Sequence, residues 1–331
     1  MFFSFRFILI SLLSVMLGVA VGFSQSDVVR GPILGFAPNS AGSVIWPIVG
    51  VAGASILGEP LLLDSEVYGA SVSPKNDYAL AIRRDDAQPV VIDLRGDSPE
   101  LRVITSAEPA VDLIAISPGG SAAATYNSQS KMIQVFGGLP GAAELIYQFN
   151  AAEASGWAAT QMAVSDDGTI ALVKFASDGE AGFWGFDSSG RSWRVSLNRP
   201  SAAAFFINSH DAIVADEETQ TVFVVTDIAR TAVQLPLIST LGNLDSVSAL
   251  AISADNRQVL AADANTGIVL VVDAQTRTSV PVSCYCHLTG LSHLKGNSVL
   301  RLNEPSETAM SVLDSSDANA RILLTPPRRP Q

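Results

Sequence analysis

The stretch Ser248–Asp273, SALAISADNRQVLAADANTGIVLVVD, decides the fold. It contains an apolar strand, a polar turn, a second apolar strand, a polar loop and a third strand that ends in aspartate. The run Ile268–Val272 is continuously apolar and rich in β-branched residues, which is typical of a strand buried on both faces. Because no helical period runs through these segments, the stretch predicts three short strands.

The same pattern recurs along the chain. Three other clear copies span 67–94, 111–138 and 159–187, another spans 202–227, and a degenerate copy spans 288–314. In the clear copies, the end of the first strand and the end of the third are 19 to 22 residues apart. A further apolar segment, such as RSWRVSL, follows each third strand. Four short strands in about 40 to 50 residues predict a β-propeller blade.

A propeller explains why these strands are apolar on both faces. A single four-stranded sheet cannot bury both faces by itself, but blades stacked around an axis cover one another. Small residues such as Ala70, Ala115 and Ala249 recur in the first strand, where the blades would crowd together at the centre. The predicted fold class is therefore all-β, a β-propeller of four-stranded blades.

The number of blades depends on the N-terminal region. Six complete blades begin near residues 67, 110, 160, 202, 247 and 288. We interpret Pro32–Gly50 as the third and fourth strands of a further blade, with Ile56–Leu63 able to complete it. We expect seven blades with an incomplete first one; six blades with an N-terminal hairpin outside the ring is the alternative. The predicted divisions are a signal peptide (1–24), a partial blade and linker (25–66), six blades (67–327) and a tail (328–331).

The N-terminus has the layout of an export signal. The first six residues, MFFSFR, carry one positive charge, and the next seventeen, Phe7–Phe23, carry none. We therefore expect a periplasmic or secreted protein. The alternative is an uncleaved membrane anchor with the domain outside the cytoplasm. No later segment is long and apolar enough to predict another membrane span.

Composition and charge exclude several classes of protein. With 48% hydrophobic and 16% charged residues, the chain is not intrinsically disordered. Lysine and arginine total 20 against 32 acidic residues, and without Arg6 of the signal the balance is 19 minus 32, or -13. Such a surface repels phosphate backbones, and Arg328 and Arg329 form too small a basic patch to compensate. We expect neither nucleic acid nor an anionic membrane as partner.

The repeats resemble a known family. The segments VSPKNDYALAI and ISADNRQVLAADANTGIVLVVD are similar to the repeats of bacterial YVTN-type propellers, whose relatives include lactonase-like and other WD40-like surface propellers. WPIVGVAGASILG and CYCHLTGL resemble segments of exported bacterial propeller proteins of unassigned role. The resemblance covers nearly the whole mature chain and implies a propeller fold, without specifying a chemistry.

Propeller topology sorts the loops into two sets. Loops between strands two and three, and connections from strand four to the next blade, open on one face, where propellers usually bind ligands. This face should carry Arg83, Arg84, Asp85, Asp86, Asp178, Glu180, Asp216, Glu217, Glu218, Asp263, Asn265, Glu304 and Glu307. The acidic residues are candidate ligands for a divalent cation. The alternative is that they are ordinary charged residues of solvated loops.

An aspartate recurs at the end of the third strand. Because it repeats from blade to blade, and because aspartate accepts hydrogen bonds from the amides of a following turn, we predict a structural role. The residues are Asp93, Asp187, Asp227, Asp273 and Asp314.

Cysteine and histidine cluster near the last blade. Cys284, Cys286, His287 and His293 are candidates for binding a soft metal or for redox chemistry. A disulfide between the two cysteines would require a bend in the chain, because two extended residues separate Cα atoms by about 6.6 Å. Metal site, disulfide and inert thiols all remain open here.

Signatures of catalysis are otherwise missing from the sequence. It contains no G-x-S-x-G elbow, no glycine-rich phosphate loop after a strand and no H-E-x-x-H. The leading interpretation is a monomeric, non-catalytic exported propeller that binds a protein or polymer at its loop-bearing face. The alternatives are a lactonase-like metal-dependent hydrolase that uses Asp216, Glu217 or Glu218, and a redox or metal-handling protein that uses Cys284 and Cys286. No cofactor is identified.

Overall fold

The computed structural model describes residues 31–96, 98–152, 156–230, 232–238, 244, 246–305, 309–317 and 319–327. The predicted signal peptide, Glu307, Arg328 and Arg329 lie outside these residues. Within the described residues every long regular element is a β-strand, and no helix is long and apolar enough to cross a membrane. The strands form seven antiparallel sheets arranged as the blades of a propeller, which confirms the predicted fold class.

Six blades have four strands each, paired in the order of the chain. Blade 2 comprises β4 (Val67–Val72), β5 (Tyr78–Arg83), β6 (Pro89–Asp93) and β7 (Glu100–Val103). Blade 3 comprises β8 (Leu113–Ile116), β9 (Ala123–Asn127), β10 (Met132–Gly137) and β11 (Glu144–Asn150). Blade 4 comprises β12 (Ala158–Val164), β13 (Ile170–Ser177), β14 (Glu180–Asp187) and β15 (Ser192–Arg194).

The remaining complete blades follow the same plan. Blade 5 comprises β16 (Pro200–Phe205), β17 (Ala212–Asp216), β18 (Thr221–Thr226) and β19 (Val233–Ile238). Blade 6 comprises β20 (Ala249–Ile252), β21 (Gln258–Asp263), β22 (Ile268–Asp273) and β23 (Ser279–Ser283). Blade 7 comprises β24 (Ser292–His293), β25 (Val299–Arg301), β26 (Met310–Asp314) and β27 (Arg321–Thr325).

Blade 1 has three strands among the described residues: β1 (Ile33–Pro38), β2 (Ile45–Val51) and β3 (Ala54–Leu57). The innermost, β1, lines the central channel together with the first strands of the other blades. Its direction, however, is that of a second strand. Its Leu34 carbonyl accepts from the amide of Lys295, in the turn that follows a first strand, and its Pro38 carbonyl accepts from Arg301, at the far end of a second strand.

The strands of blade 1 therefore occupy positions two, three and four. The outermost, β3, lies beside the fourth strand of blade 7, where the Ser55 and Thr325 hydroxyls are 2.8 Å apart. Our interpretation of Pro32–Gly50 as strands three and four is wrong by one position. The error arises because second and third strands are both buried on two faces and have the same apolar pattern.

The core consists of the layers between neighbouring blades. Between blades 5 and 6, for example, Ile213 and Val222 pack against Val259 and Val272, and all four side chains are fully buried. Second and third strands are the most buried, whereas fourth strands are largely exposed. Each blade thus depends on its neighbours for burial, as the sequence pattern predicts.

Hydrogen bonds join the turns between first and second strands around one face, here called the turn face. Asp166 of blade 4 accepts from the amides of Gly119 in blade 3 and Asn208 in blade 5. Asn256 of blade 6 exchanges two hydrogen bonds with the backbone of Ile207 in blade 5. The opposite face, here called the loop face, carries the loops between strands two and three and the connections between blades.

Asn76 continues this belt at blade 1, whose described strands begin at the second position. Its side-chain oxygen accepts from the amide of Phe36 in blade 1 at 2.9 Å, and its nitrogen donates to the carbonyl of His293 in blade 7 at 2.9 Å. The absence of a side chain at Gly35 makes room for it, because a Cβ there would lie 2.7 Å from the Asn76 oxygen. One side chain therefore links three blades.

Candidate functional site

A channel runs along the propeller axis. Its volume is about 440 Å³, and all seven blades contribute to its wall. Apolar side chains such as Val72, Ile116 and Met162 contribute to the wall, but polar atoms make up more of its exposed surface. Its polar residues are Asn39, Ser40, Ser71, Gln161, Ser292, His293, Arg301 and Glu304. Of the predicted site residues, the channel therefore receives only His293 and Glu304.

The charged loop of blade 2 forms local ion pairs. Arg83 holds Asp86 through two hydrogen bonds, and this lowers the pKa of the Asp86 carboxyl. Arg84 lies 3.2 Å from Glu66, and both side chains are largely exposed. Exposed pairs of this kind contribute little to stability. Asp85 lies in the same solvated loop.

Two predicted ligands, Asp216 and Asp263, are instead buried supports of the loop face. Asp216 is 1% exposed, and its carboxylate accepts from the amides of Asn198, Arg199 and Glu218. Asp263 is fully buried and accepts from the amide of Asn265, its neighbour in the same loop. Both carboxylates hold a loop between strands two and three in place. The Asn127 side chain does the same in blade 3 by accepting from the Gln129 and Ser130 amides, a role that the sequence analysis missed.

The other acidic residues of the loop face do not gather into a cluster. Glu217 accepts from the Ser246 hydroxyl at 2.5 Å and pairs with Arg199 at 3.2 Å. Glu180 is exposed in the hairpin between β13 and β14. Glu218 follows Asp216 in a different blade. Among the residues that the structure describes, no three His, Cys, Asp or Glu side chains are placed to hold a metal ion.

The recurrent third-strand aspartates have the predicted structural role at four positions. Asp273, for instance, accepts from the amides of Gln275 and Thr276. Asp93 binds Arg95, and this hydrogen bond is the main cause that lowers the pKa of Asp93 to about 2. Asp187 and Asp314 likewise accept from the turns that follow them. Asp227 differs, because its backbone has a φ of 44° and its amide donates to Asp211.

The two cysteines form a disulfide on the loop face. Their Cα atoms are 5.1 Å apart, and Tyr285 between them has a φ of 50°, which supplies the bend that pairing requires. Cys284 is buried against blade 7, whereas Tyr285 is 99% exposed. In this state neither sulfur is a thiolate that could bind a metal.

A broad depression lies beside the disulfide. Its volume is about 780 Å³, and it is lined by the Cys284–His287 segment, Asn303, Glu304 and the apolar side chains Ile322 and Leu324. Leu324 is 63% exposed. Tyr285 was not among the predicted site residues, although an aromatic residue enclosed by two cysteines is a visible sequence signal.

The structure separates the three histidines. His287 is exposed beside the disulfide, and His293 lies in β24 on the wall of the channel. Burial lowers the pKa of His293 to about 4. His210 lies on the turn face, with its Nε2 atom 2.8 Å from the carboxylate of Asp167.

Comparisons with known proteins identify the fold. No family model matches the chain, and no curated protein matches it. Among solved structures, a functionally unknown protein from Desulfotomaculum acetoxidans matches with a TM-score of 0.58 and 14% identity over 89% of this chain and 100% of its own. Chaetomium thermophilum Sqt1, bound to the N-terminus of ribosomal protein L10, matches with a TM-score of 0.54 and 13% identity over 90% and 88%.

A third match is a chain of a mitotic checkpoint complex, with a TM-score of 0.54 and 11% identity over 78% of this chain and 79% of its own. At these identities the comparisons show the fold alone. The chain has the fold of a seven-bladed, WD40-like β-propeller.

Proposed function

We propose that this chain is a non-catalytic exported propeller that binds a protein partner at its loop face, with Tyr285 as the anchor. The observation that carries the proposal is the fully exposed Tyr285, held between two disulfide-bonded cysteines. A large aromatic side chain in water has no stabilising role in the fold. Tyrosine is also one of the residues that contribute most to protein interfaces.

The disulfide reduces what binding would otherwise cost in entropy. Cys284 is buried in the layer between blades 6 and 7, and the bond to Cys286 fixes the backbone of the residue between them. A side chain presented from a fixed backbone loses less freedom when it becomes buried in a partner. The loop is therefore preorganised for contact.

The depression beside Tyr285 gives the partner an apolar surface. Ile322 and Leu324 project from the outer strand of blade 7, and Glu304 and His287 lie at the same depression. An exposed apolar patch edged by polar residues is typical of a protein interaction site. A partner would cover Leu324 and place its own apolar side chain next to Tyr285.

Charge favours a partner with a basic surface. The chain has a formal net charge of -12. On the loop face, Asp178 and Glu180 are exposed, and no side-chain hydrogen bond of theirs is recorded within the described residues. Complementary charge would mainly raise the association rate and make it depend on salt concentration.

The fold matches are consistent with this proposal. Sqt1 is bound to the N-terminus of ribosomal protein L10, and another match belongs to a mitotic checkpoint complex. We also assign the repeats to the YVTN type, on the resemblance of VSPKNDYALAI and ISADNRQVLAADANTGIVLVVD, and the chain to the periplasm or the medium, on its N-terminal signal layout.

The test begins with the partner recovered by cross-linking to the full chain in a host that exports it, and then measures affinity with purified components. Tyr285→Ala should weaken binding at least about tenfold, because truncating an anchoring residue at the centre of an interface costs about 2 kcal/mol or more. The matched control is Lys75→Ala, an exposed change on the turn face that should leave affinity within about twofold. Unchanged affinity for Tyr285→Ala, or a larger loss for Lys75→Ala, would refute the proposed anchor.

A double substitution, Cys284→Ser with Cys286→Ser, separates preorganisation from contact. Tyr285 remains in this variant, so any loss of affinity reports the fixed loop. We expect a smaller loss than for Tyr285→Ala, with thermal stability changed by no more than about 2 kcal/mol because the disulfide closes a very short loop.

A further inference from the structure

Arg301 is an arginine buried in blade 7. It lies at the end of β25, directly opposite Ser292 of β24, and its side chain is 9% exposed. Its Nη1 donates to the Pro38 carbonyl at 3.2 Å and its Nη2 to the Ser292 hydroxyl at 3.1 Å. Its buried Nε has no hydrogen-bond partner. No carboxylate in the described part of the chain lies within ion-pair distance of it.

This arrangement is unfavourable for the fold alone. Removing a charged group from water is costly unless it is paired and hydrogen-bonded, and a guanidinium has five N–H donors to satisfy. Here two neutral oxygens accept, while Glu304 acts only through space to oppose the effect of burial on the Arg301 pKa. Burial lowers that pKa to about 10, so the side chain stays positively charged at neutral pH.

Arg301 reaches the channel wall beside β1 of blade 1. Side chains at Val299 and Arg301 point from β25 toward blade 1. In the other blades the innermost strand is a first strand, which covers the inner end of the neighbouring layer. In blade 1 the innermost described strand is β1, at the second position. Arg301 therefore contributes to the channel wall, although it belongs to a second strand.

We propose that the channel binds a small organic monocarboxylate, with its carboxylate on the Arg301 guanidinium at the junction of blades 7 and 1. A carboxylate would provide the missing counter-charge and accept the unused N–H groups. The channel volume of about 440 Å³ is in the range of small-molecule sites. The partly exposed apolar side chains Val72, Ile116 and Met162 would contact the organic part.

A single negative charge fits better than a phosphate dianion. On the described channel wall, Arg301 is the only side chain that is positively charged at pH 7. His293 lies on the same wall but is neutral, because burial lowers its pKa to about 4. Glu304 lies on the same wall and would repel a second negative charge. The linings of the ligand site and of the proposed protein-binding site share Glu304, but Arg301 lines only the channel and Tyr285 only the depression.

The experiment uses the full chain and calorimetric titration at pH 7. The probes are acetate, benzoate and phenylacetate, with benzamide as the neutral analogue of benzoate and inorganic phosphate as the dianion. We expect one carboxylate per chain, at least tenfold tighter binding of benzoate or phenylacetate than of benzamide, and weaker binding of phosphate. Equal binding of benzoate and benzamide, tighter binding of phosphate, or no carboxylate binding up to about 10 mM would overturn the proposal.

Variants locate the site. Arg301→Gln keeps a donor for the Pro38 carbonyl and removes the charge, so carboxylate affinity should fall at least tenfold, whereas Arg95→Gln, an exposed control, should leave it unchanged. If Arg301→Gln does not fold, the shift of the Arg301 Nε resonance on addition of benzoate gives the same answer in the unaltered chain, and a constant shift contradicts the proposal. Tyr285→Ala should retain carboxylate binding, which distinguishes this site from the protein-binding surface.

Discussion

His293 should make the stability of this propeller depend on pH between about 6.5 and 4. Its ring lies in the wall of the channel, and burial lowers its pKa from 6.5 to about 4. As pH falls through this window, the unfolded chain takes up a proton that the folded chain does not. Stability is therefore greatest above pH 6.5, falls as pH drops towards 4, and stops falling for this reason below 4.

The size of the effect follows from the two pKa values. The interval between 6.5 and about 4 corresponds to about 3 kcal/mol at about 1.4 kcal/mol for each pH unit. Burial, and no charged neighbour, lowers the pKa of His293, so little of this change in stability should depend on salt concentration. A domain stability of about 5 to 15 kcal/mol makes a change of this size measurable.

The assay is urea unfolding at a series of pH values from 8 to 4, for the wild type, His293→Gln and His287→Gln. His287 is the matched control, because it is an exposed histidine only six residues away. The wild type and His287→Gln should lose about 3 kcal/mol more than His293→Gln over this range. If all three proteins lose stability in parallel, the partly buried His293 ring takes up a proton as readily in the folded chain as in the unfolded chain, and the lowered pKa is wrong.

Two other predictions concern the polar contacts of the ring. Asn76→Ala should lower the free energy of unfolding by about 2 to 4 kcal/mol, because it leaves the Phe36 amide without its partner at a buried junction; chemical unfolding checks this. Asn208→Ala is the control, because Asn208 has a similar positive φ and its side chain makes no hydrogen bond with the described residues. This variant should lose about 1 kcal/mol or less of unfolding free energy. Equal losses for the two variants would contradict the role of Asn76. Asp93, whose pKa is lowered to about 2, should stabilise the fold above pH 4 by about 1 kcal/mol and lose this effect as pH falls from about 4 to 2. Acid titration of Asp93→Asn should show a shallower decline, and a decline identical to the wild type's would refute the contribution.

Much of the fold can be predicted from the sequence because every blade meets the same physical requirement. Each blade must bury both faces, so apolar runs return at a fixed spacing, and polar turns return between them. The spacing predicted the six complete blades and the sorting of loops by face. The position of Pro32–Gly50 was not predictable from this pattern, since strand direction leaves no trace in composition. Only long-range hydrogen bonds, such as Lys295 to Leu34, show it.

The functional residues were harder to predict for a related reason. An acidic residue in a loop has the same sequence signal whether it supports the backbone or faces a ligand. In the structure, Asp216 and Asp263 are buried and support the backbone. Asp216 accepts a hydrogen bond from an amide distant in sequence, and Asp263 accepts one from an amide of its own loop. Arg301 was missed although a charge inside the apolar segment SVLRL breaks the expected pattern. Its role depends on its contact with β1, near the other end of the chain.

The turn face, the loop face and the junction of blades 7 and 1 have different roles in the ring. The turn face is joined from blade to blade by hydrogen bonds, including the Asn76 link, and provides stability. The loop face carries exposed side chains on supported loops, with Tyr285 the most prominent. The junction of blades 7 and 1 places a buried charge on the channel wall.

The arrangement of blade 1 is the claim on which the channel and the Arg301 site both depend, and an electron-density map of the full exported chain tests it most directly. The account predicts seven blades, with β1 lining the channel, its Pro38 carbonyl bound by Arg301 and its Phe36 amide bound by Asn76. A β1 running in the opposite direction, with its Pro38 carbonyl on the turn face, or a ring of six blades with Pro32–Gly50 packed outside it, would contradict the account.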